Sequence, residues 1–362
     1  MTGQHRIVVL GAGYAGLAAA GRLVRTARGA EITVVDARAR FVERVRLHQQ
    51  AAGQQISAWD LREILESKKI RFVNARASEI DTEDKRVLLD TATVLDYDTL
   101  VYALGSIADQ NGVPGVAEHA HSVSTPEDAD RFTAPGGAVV VVGAGATGIE
   151  LAAELAESQP DSRVSLLSPE EPGAWLSPRA QAHIRRVLER LGVEIRSDAK
   201  VIEVTEGGVR LADGSLIGSA ATVWTAGFAV PDLAARAGLS VDGAGRVLTD
   251  ASLRSVSHPD VYAAGDSAVI AGPGGRELRM ACATALPTGT YAADAVAARL
   301  RGAEPGRLRY RFVLQCLSLG RRDGLIQFLH ADDSPGRIVL TGRTAAWVKE
   351  LIVRGAGWVA RR

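Results

Sequence analysis

The chain has 362 residues, enough for two or three domains, and hydrophobic residues make up 46% of it, enough to fill buried cores. Lys and Arg together number 42, as do Asp and Glu, so the net charge is zero and gives no electrostatic basis for nucleic acid as the main partner. The composition also excludes a disulfide scaffold and a cysteine metal site, because Cys282 and Cys316 are the only cysteines. With no signal-peptide pattern and no apolar run of about 20 residues, we expect a cytoplasmic protein without a transmembrane segment, as a monomer or homodimer.

A glycine motif follows the first predicted strand, the apolar run at residues 7–10. It comprises Gly11, Ala12, Gly13, Tyr14, Ala15 and Gly16, and it opens an Ala- and Leu-rich helix. In such a motif the first glycine permits a tight turn, the second lets the backbone approach a pyrophosphate, and the third allows the helix to pack closely on the strand. Asp36 ends the next predicted strand, 20 positions after Gly16, where an acidic residue accepts from ribose hydroxyls.

The first unit continues with a period-two segment at residues 80–87, which predicts an antiparallel hairpin. An apolar strand then ends in Ala103, Leu104 and Gly105. Beyond it, Pro114-Gly115 and Pro135-Gly136-Gly137 bracket a linker.

A second copy of this plan begins with the apolar strand at residues 139–142. Its glycine motif comprises Gly143, Ala144, Gly145, Ala146, Thr147 and Gly148. The acidic position of the first copy is here Ser168, with Glu170 and Glu171 just beyond it. A second hairpin signal and an apolar strand ending at Gly227 complete the copy, so the sequence predicts a duplicated unit that holds two dinucleotides at once.

After a glycine-rich exit at residues 243–245, a short apolar strand ends at Gly265 and Asp266, and a helix is predicted over about 284–300. Asp266 lies where open α/β sheets bind ligands, the alternative being an ordinary turn aspartate. The tail predicts strands at 312–316, 325–329 and 338–340 and a final helix.

The predicted fold class is α/β, with two Rossmann-like, doubly wound dinucleotide-binding domains, the second inserted in the first, and a small α+β C-terminal domain. The predicted boundaries are residues 1–112 with 245–303, 113–244, and 304–362.

These features resemble the pyridine nucleotide-disulfide oxidoreductase superfamily, whose members carry FAD in one Rossmann-like domain and NAD(P)H in a second, inserted one. Residues 41–49, 223–227 and 317–324 look most like type II NADH dehydrogenases, and apoptosis-inducing-factor-like reductases are the neighbouring branch. The resemblance implies an FAD-dependent NAD(P)H dehydrogenase that passes a hydride from NADH to flavin N5 and electrons on to a quinone-like or other small organic acceptor.

The resemblance also assigns cofactor-binding residues. For FAD these are Gly11, Gly13, Tyr14, Ala15 and Gly16 at the pyrophosphate, Asp36 at the adenosine ribose, Ala77 by the adenine, Ala103 and Gly105 along the diphosphate, and Gly265 and Asp266 at the ribityl chain. For the pyridine nucleotide they are Gly143, Gly145, Thr147, Gly148, Ser168 and Gly227. Because Glu170 and Glu171 would repel a 2′-phosphate, we expect NADH, with NADPH as the alternative.

Three residues are candidates for the catalytic site. Glu150 lies one turn into the helix that starts at the second glycine motif, near the nicotinamide and flavin in the resembled family; the alternative is a helix-end carboxylate that the macrodipole favours. His48 and Gln49 occur in a segment that the family places beside the flavin, where they could bind acceptor or relay a proton, although a lone histidine is more often structural. Cys282 is expected to be a small buried residue without a catalytic role.

The chain also departs from the family. It lacks the CxxxxC pair of the disulfide reductases, so disulfide reduction is excluded, and the stretch at 282–289 lacks the glutamines of the respiratory enzymes, which argues against a membrane quinone. Two other functions therefore stay open: a flavin oxidoreductase acting on a specialised metabolite, and an NADH-sensing or electron-transfer interaction flavoprotein. The final helix carries Trp347, Leu351 and Trp358 together with the cations Lys349, Arg354, Arg361 and Arg362. It is expected either to lie on an anionic membrane surface or to pack on its own domain or on a twin subunit.

Overall fold

The computed structural model describes residues 4–134 and 136–361; Pro135 of the predicted linker, Arg362 of the final helix and the first three residues lie outside them. The first segment contains β1 (Arg6–Leu10), α1 (Tyr14–Thr26), β2 (Glu31–Asp36), β3 (Arg40–Val42), α2 (Leu47–Ala51), β4 (Ala58–Asp60), α3 (Leu61–Glu66), β5 (Arg71–Asn74), β6 (Ala77–Asp81), β7 (Arg86–Leu89), β8 (Val94–Asp96) and β9 (Thr99–Tyr102).

The middle segment contains β10 (Ile107–Ala108), α4 (Val116–His119), β11 (Ala120–His121), α5 (Pro126–Arg131), β12 (Gly137–Val142), α6 (Ala146–Ser158), β13 (Ser162–Leu167), α7 (Pro178–Arg190), β14 (Glu194–Arg196), β15 (Val201–Thr205), β16 (Gly208–Leu211), β17 (Leu216–Gly218), β18 (Ala221–Trp224), β19 (Phe228–Ala229) and α8 (Leu233–Arg236). The last segment contains β20 (Val247–Leu248), β21 (Val261–Ala263), β22 (Ala268–Val269), α9 (Cys282–Leu300), β23 (Leu314–Ser318), β24 (Gly324–Leu329), β25 (Pro335–Thr341) and α10 (Gly342–Arg361).

Two five-stranded parallel sheets form the framework. The first has the strand order β21-β9-β1-β2-β5 and the second β11-β18-β12-β13-β14, and every neighbouring pair in both is parallel. Their central strands are continuous apolar runs, as expected where helices cover both faces of a sheet. Strand β21 follows the whole second sheet in the chain yet returns to the edge of the first. The predicted α/β class with Rossmann-like units is confirmed.

Each parallel sheet is accompanied by an antiparallel meander, β6-β7-β8 or β15-β16-β17. The sequence predicts only a hairpin at each place. The third strands have three residues each, which is too short for a period-two pattern to identify a strand from the sequence.

Helices α1 and α9 pack closely because Gly289 of α9 has no side chain: a Cβ there would overlap the carbonyl oxygen of Ala15. Pro287 lies inside α9 and cannot donate a backbone hydrogen bond to residue 283. The freed Ala283 carbonyl accepts instead from the Tyr310 hydroxyl at 3.1 Å. The start of α9 is thereby joined to the chain that leads into the C-terminal sheet.

The C-terminal region is the antiparallel sheet β23-β24-β25 with α10 packed on it. Its first strand begins two residues later than predicted and its last strand is longer, 335–341 rather than 338–340. Across residues 4–134 and 136–361, no helix has the length and apolarity needed to cross a bilayer.

Candidate functional site

The first glycine motif forms a tight turn from β1 into α1. Gly11 has φ +96°, and a Cβ at Gly16 would overlap the Gly11 carbonyl oxygen, so both positions are fixed by backbone packing. Gly13 differs: around a Cβ built there, no atom of the described chain lies within 4 Å. Gly13 is also the N-cap of α1, and no side chain caps the first amide groups of this helix, which leaves them available to a ligand.

The second motif repeats this geometry between β12 and α6. Gly143 has φ +104°, a Cβ at Gly148 would overlap the Gly143 carbonyl oxygen, and Gly145 caps α6 with open space around it. Thr225 fixes the turn, since its hydroxyl donates to the carbonyl oxygens of Val142 at 2.8 Å and Gly143 at 2.9 Å. Thr225 follows the apolar strand β18 directly but was not among the predicted site residues.

The three strand ends that carry predicted FAD residues lie side by side. Strands β21, β9 and β1 are adjacent and parallel, so their carboxyl ends bring Gly265–Asp266, Ala103–Gly105 and the glycine motif to one edge of the sheet. Tyr14 and Ala15 are buried at the start of α1 on this edge. Ala77 lies on the neighbouring meander, at the start of β6.

The carboxylates of Asp36 and Asp266 differ in their hydrogen bonds. The Asp36 carboxylate accepts backbone amides from Ala12 at 2.6 Å and Arg38 at 2.8 Å, which fixes it beside the glycine motif. One oxygen of Asp266 accepts from the Ser106 hydroxyl at 2.7 Å. The other oxygen is buried and has no hydrogen-bond partner among the described residues.

An unpartnered buried carboxylate oxygen is costly unless a ligand donates to it. The open amides at the start of α1 suit a pyrophosphate, and Asp266 suits a ligand hydroxyl. The residues present therefore fit FAD at this edge. Ser106 was not among the predicted site residues. Its position directly after Gly105 is the sequence feature that could have predicted it.

In the second unit, Ser168 occupies the place that Asp36 has in the first. It is 8% exposed, and its hydroxyl accepts from the Glu170 amide at 3.2 Å. Thr147 is half-buried in the first turn of α6. Gly227 has φ +93° and lies against Asp109: a Cβ added at Gly227 would be 3.3 Å from the Asp109 side chain.

Glu150 joins three parts of the chain. It accepts from the Ser318 amide of the C-terminal sheet at 2.9 Å, forms an ion pair with Lys349 of α10, and lies 3.8 Å from His48 Nδ1 of α2. Its side chain is only 12% exposed. Burial opposes the charged form, but Lys349 and the other donors outweigh it and lower the pKa of Glu150.

This arrangement corrects two expectations. The alternative of an exposed helix-end carboxylate for Glu150 is wrong, because the side chain is buried and ion-paired. Lys349 was grouped with the cations of the final helix that could face an anionic membrane, yet it is 7% exposed and faces the protein. A lysine among apolar residues of an amphipathic helix gives no sequence signal for its partner 199 positions away.

His48 and Gln49 lie beside this ion pair, buried on α2. Burial lowers the pKa of His48 to about 4, so the imidazole is neutral at physiological pH. In the part of the chain that the structure describes, its Nε2 atom has no hydrogen-bond partner. The Gln49 side-chain oxygen accepts from Arg46 at 3.5 Å.

Arg46 anchors this loop to the final helix. It pairs with Glu43 at 2.6 Å and forms two 2.9 Å bonds with Glu350 of α10. Adjacent residues of α10, Lys349 and Glu350, thus connect to both nucleotide units.

The expectation that Cys282 is buried is wrong: it is exposed at the start of α9.

The opposite face of α10 points outward. Trp347 is 63% exposed and Leu351 47%, beside Arg354, which pairs with Glu350. The helix therefore packs on its own domain through one face and leaves an apolar face with a cation at the surface.

Comparisons with known proteins show the family to which the chain belongs. A family model described as pyridine nucleotide-disulphide oxidoreductase matches residues 5–289. A NADH dehydrogenase-like protein of Mycobacterium tuberculosis is 31% identical over 79% of this chain and 78% of its own length. A type II NADH:quinone oxidoreductase of Staphylococcus epidermidis is 27% identical over 96% of this chain and 94% of its own. The structure of NDH2 from Plasmodium falciparum in complex with NADH superposes with a TM-score of 0.84 at 14% identity, covering 99% of this chain and 96% of that one.

Proposed function

Because the chain belongs to the pyridine nucleotide-disulphide oxidoreductase family, we propose that it is an FAD-dependent NADH dehydrogenase that reduces a quinone. The predictions of family, enzyme class and the cofactors FAD and NADH are confirmed by this membership. The identity of the acceptor and the role of each residue are the proposed parts.

The ion pair of Glu150 with Lys349, beside His48, carries the proposal. It places a buried carboxylate, a cation and a neutral imidazole where both nucleotide units and the C-terminal region meet. Bound FAD supplies the two-electron chemistry, accepting a hydride from NADH and giving two electrons to the acceptor. A quinone also needs two protons, which is a task for titratable side chains.

We assign the protein's own groups as follows. The amides at the starts of α1 and α6 bind the two pyrophosphates, and Asp36 and Asp266 fix the FAD sugar and ribityl hydroxyls. Ala77, Ala103 and Gly105 line the same cofactor. The charged carboxylate of Glu150 takes up a proton only in transit to the acceptor, and neutral His48 can accept a hydrogen bond at its Nε2 atom.

Quinone as the acceptor is supported by the relative from Staphylococcus epidermidis, whose name states that activity. The glutamines expected in the respiratory enzymes are absent from residues 282–289, where Thr284 and Thr288 are buried with their hydroxyls bonded to backbone carbonyls. If quinone binds beside α9, its contacts there differ from those that the resemblance implies.

NADH is the proposed donor because Ser168 is followed by Glu170 and Glu171, whose charges would repel a 2′-phosphate. The proposed domains are residues 1–112 with 245–303 for FAD, 113–244 for NADH, and 304–362 at the C-terminus. We propose a cytoplasmic enzyme that touches an anionic membrane with Trp347 and Leu351 of α10, a surface that suits interfacial binding.

The test begins with the absorbance spectrum of the purified protein, which should show bound FAD. Steady-state NADH oxidation should then proceed with a ubiquinone analogue or menadione, with kcat/KM higher for NADH than for NADPH. Consumption of NADH with ferricyanide but not with any quinone would favour a metabolite oxidoreductase. Slow reoxidation of the reduced protein by every acceptor would favour a sensing or interaction flavoprotein.

Membrane contact is tested by flotation with anionic liposomes. The wild type should float, and a Trp347→Ser/Leu351→Ser variant should remain at the bottom while keeping its NADH:ferricyanide rate. Equal flotation of both proteins would contradict the assignment of this face.

A further inference from the structure

A cavity away from the nucleotide-binding edges opens beside α6. Its volume is about 520 Å³, and it lies between the chain after α2, helix α5 and the end of α6. The polar side chains that line it are mainly amides, Gln50, Gln54, Gln55 and Gln159, with Asp130. A polar cavity of this size holds water.

Glu154 lies behind the wall of this cavity. It is fully buried, and one of its carboxylate oxygens accepts from the Gln54 side chain and pairs with Arg321 Nε at 3.1 Å. The other oxygen is buried, and none of residues 4–134 or 136–361 bonds to it. Gln54, itself half-buried, is the side chain that connects Glu154 with the cavity.

Glu154 is four residues beyond Glu150 on α6, so the two carboxylates lie on the same helix face in adjacent turns, with Cβ atoms about 5–6 Å apart. Arg321 lies close enough to both turns for its charge to act on His48 as well as on Glu154. The order of groups is therefore amide-lined cavity, Gln54, Glu154, and then the Glu150–His48 pair.

The overall reaction requires a proton from solvent. NADH gives two electrons and one proton as a hydride, and the quinone takes up two electrons and two protons to become the quinol. One proton per turnover must therefore come from bulk water. Where α10 and a membrane cover the acceptor, that proton has to pass through protein.

We propose that Glu154 relays this proton from the amide-lined cavity to the Glu150–His48 pair, an inference that rests on the proposed quinone reductase function. In the relay, the Glu154 carboxyl gives its proton towards Glu150 and is reprotonated by cavity water when Gln54 moves aside. No electron passes through Glu154. Burial raises the pKa of the Glu154 carboxyl, although the charge of Arg321 opposes this change. A raised pKa allows Glu154 to carry a proton nearer to neutral pH.

The test compares two acceptors in the Glu154→Gln variant of the holoenzyme. Glutamine keeps the shape of the side chain and can still bond to its neighbours, but it cannot titrate. Quinone reduction should slow by on the order of a hundredfold, the lower end of the range for loss of a proton-transfer group. The NADH:ferricyanide rate, which needs no proton delivery, should stay within about twofold.

The matched control is Glu157→Gln, one turn further along α6. Glu157 accepts from the Arg321 backbone amide and so contacts the same loop, but it does not line the cavity. This variant should keep both rates. Infrared spectra supply a readout besides activity: a carbonyl band of a protonated carboxylic acid should be present in the wild type and absent from Glu154→Gln.

The outcomes separate the two ideas. If the wild type reduces quinone and Glu154→Gln does so equally well, or if both of its rates fall together, the relay is wrong and Glu154 only docks Arg321. If the wild type reduces ferricyanide but no quinone, the proposed function fails and the relay with it. Loss of the infrared band without loss of quinone rate also overturns the relay.

Discussion

Replacing Lys349 with methionine should destabilise the protein by an amount that increases with pH. The change removes the cation that compensates Glu150, whose side chain is 12% exposed. His48 does not compensate Glu150 in the wild type, where burial lowers the pKa of His48 to about 4 and leaves it neutral. In the variant, the backbone amide of Ser318 still donates a hydrogen bond to Glu150. A buried carboxylate in this situation takes up a proton on folding.

That proton uptake sets the magnitude. In the wild type the pKa of Glu150 is lowered, so its contribution is present above the ordinary value of 4.5 and is lost as pH falls below it. In Lys349→Met the folded-state pKa is instead raised, and protonation costs about 1.36 kcal/mol for each pH unit above 4.5. The expected loss is about 4 kcal/mol at pH 7.5 and about 1.4 kcal/mol at pH 5.5.

Urea unfolding followed by tryptophan fluorescence at these two pH values, with FAD in excess, measures the difference. Lys349→Met combined with Glu150→Gln serves as the control, because removal of both charges leaves no buried ion without a partner. The double variant should be more stable than Lys349→Met at pH 7.5 and show little pH dependence. A loss that is equal at both pH values, or shared by the double variant, would refute the assignment of a coupled buried pair.

Three further results are expected. Gly13→Ala should have a Tm near that of the wild type but bind FAD more weakly, whereas Gly16→Ala should lower the Tm even without FAD, because its Cβ would overlap the Gly11 carbonyl oxygen. FAD titration and thermal melts measure the two effects. The reverse order would contradict the open space found around Gly13 and the close packing found at Gly16. Asp266→Asn should weaken FAD binding by roughly 1.5–3 kcal/mol, read by equilibrium dialysis, and an unchanged Kd would show that the free carboxylate oxygen has no ligand. The pH profile of quinone reduction between pH 6 and 9 should contain no inflection that His48→Asn removes, because His48 is already neutral there.

Local features of the sequence determined the two dinucleotide sites. A glycine at φ near +100°, a glycine in close backbone contact and a helix that begins at a strand end all lie within six residues, so the motif and its geometry are inseparable. The position of Asp266 at the sheet edge was also predictable, because the carboxyl end of a parallel strand has a fixed place in an open sheet. The departures, no CxxxxC pair and no glutamines at 282–289, are equally local.

Only the tertiary structure decided which groups meet between those sites. Glu150 and Lys349 are 199 positions apart, and Ser106 and Asp266 are 160 apart. Each pairing depends on how α10 packs, or on β21 returning to the first sheet. Helix periodicity predicts an apolar inner face for α10, and it cannot show that a buried lysine there is stabilised by a carboxylate on another helix. For the same reason the sequence could not predict the burial of Glu154, which arises from contacts with the cavity wall and the C-terminal loop and not from its own segment of the chain.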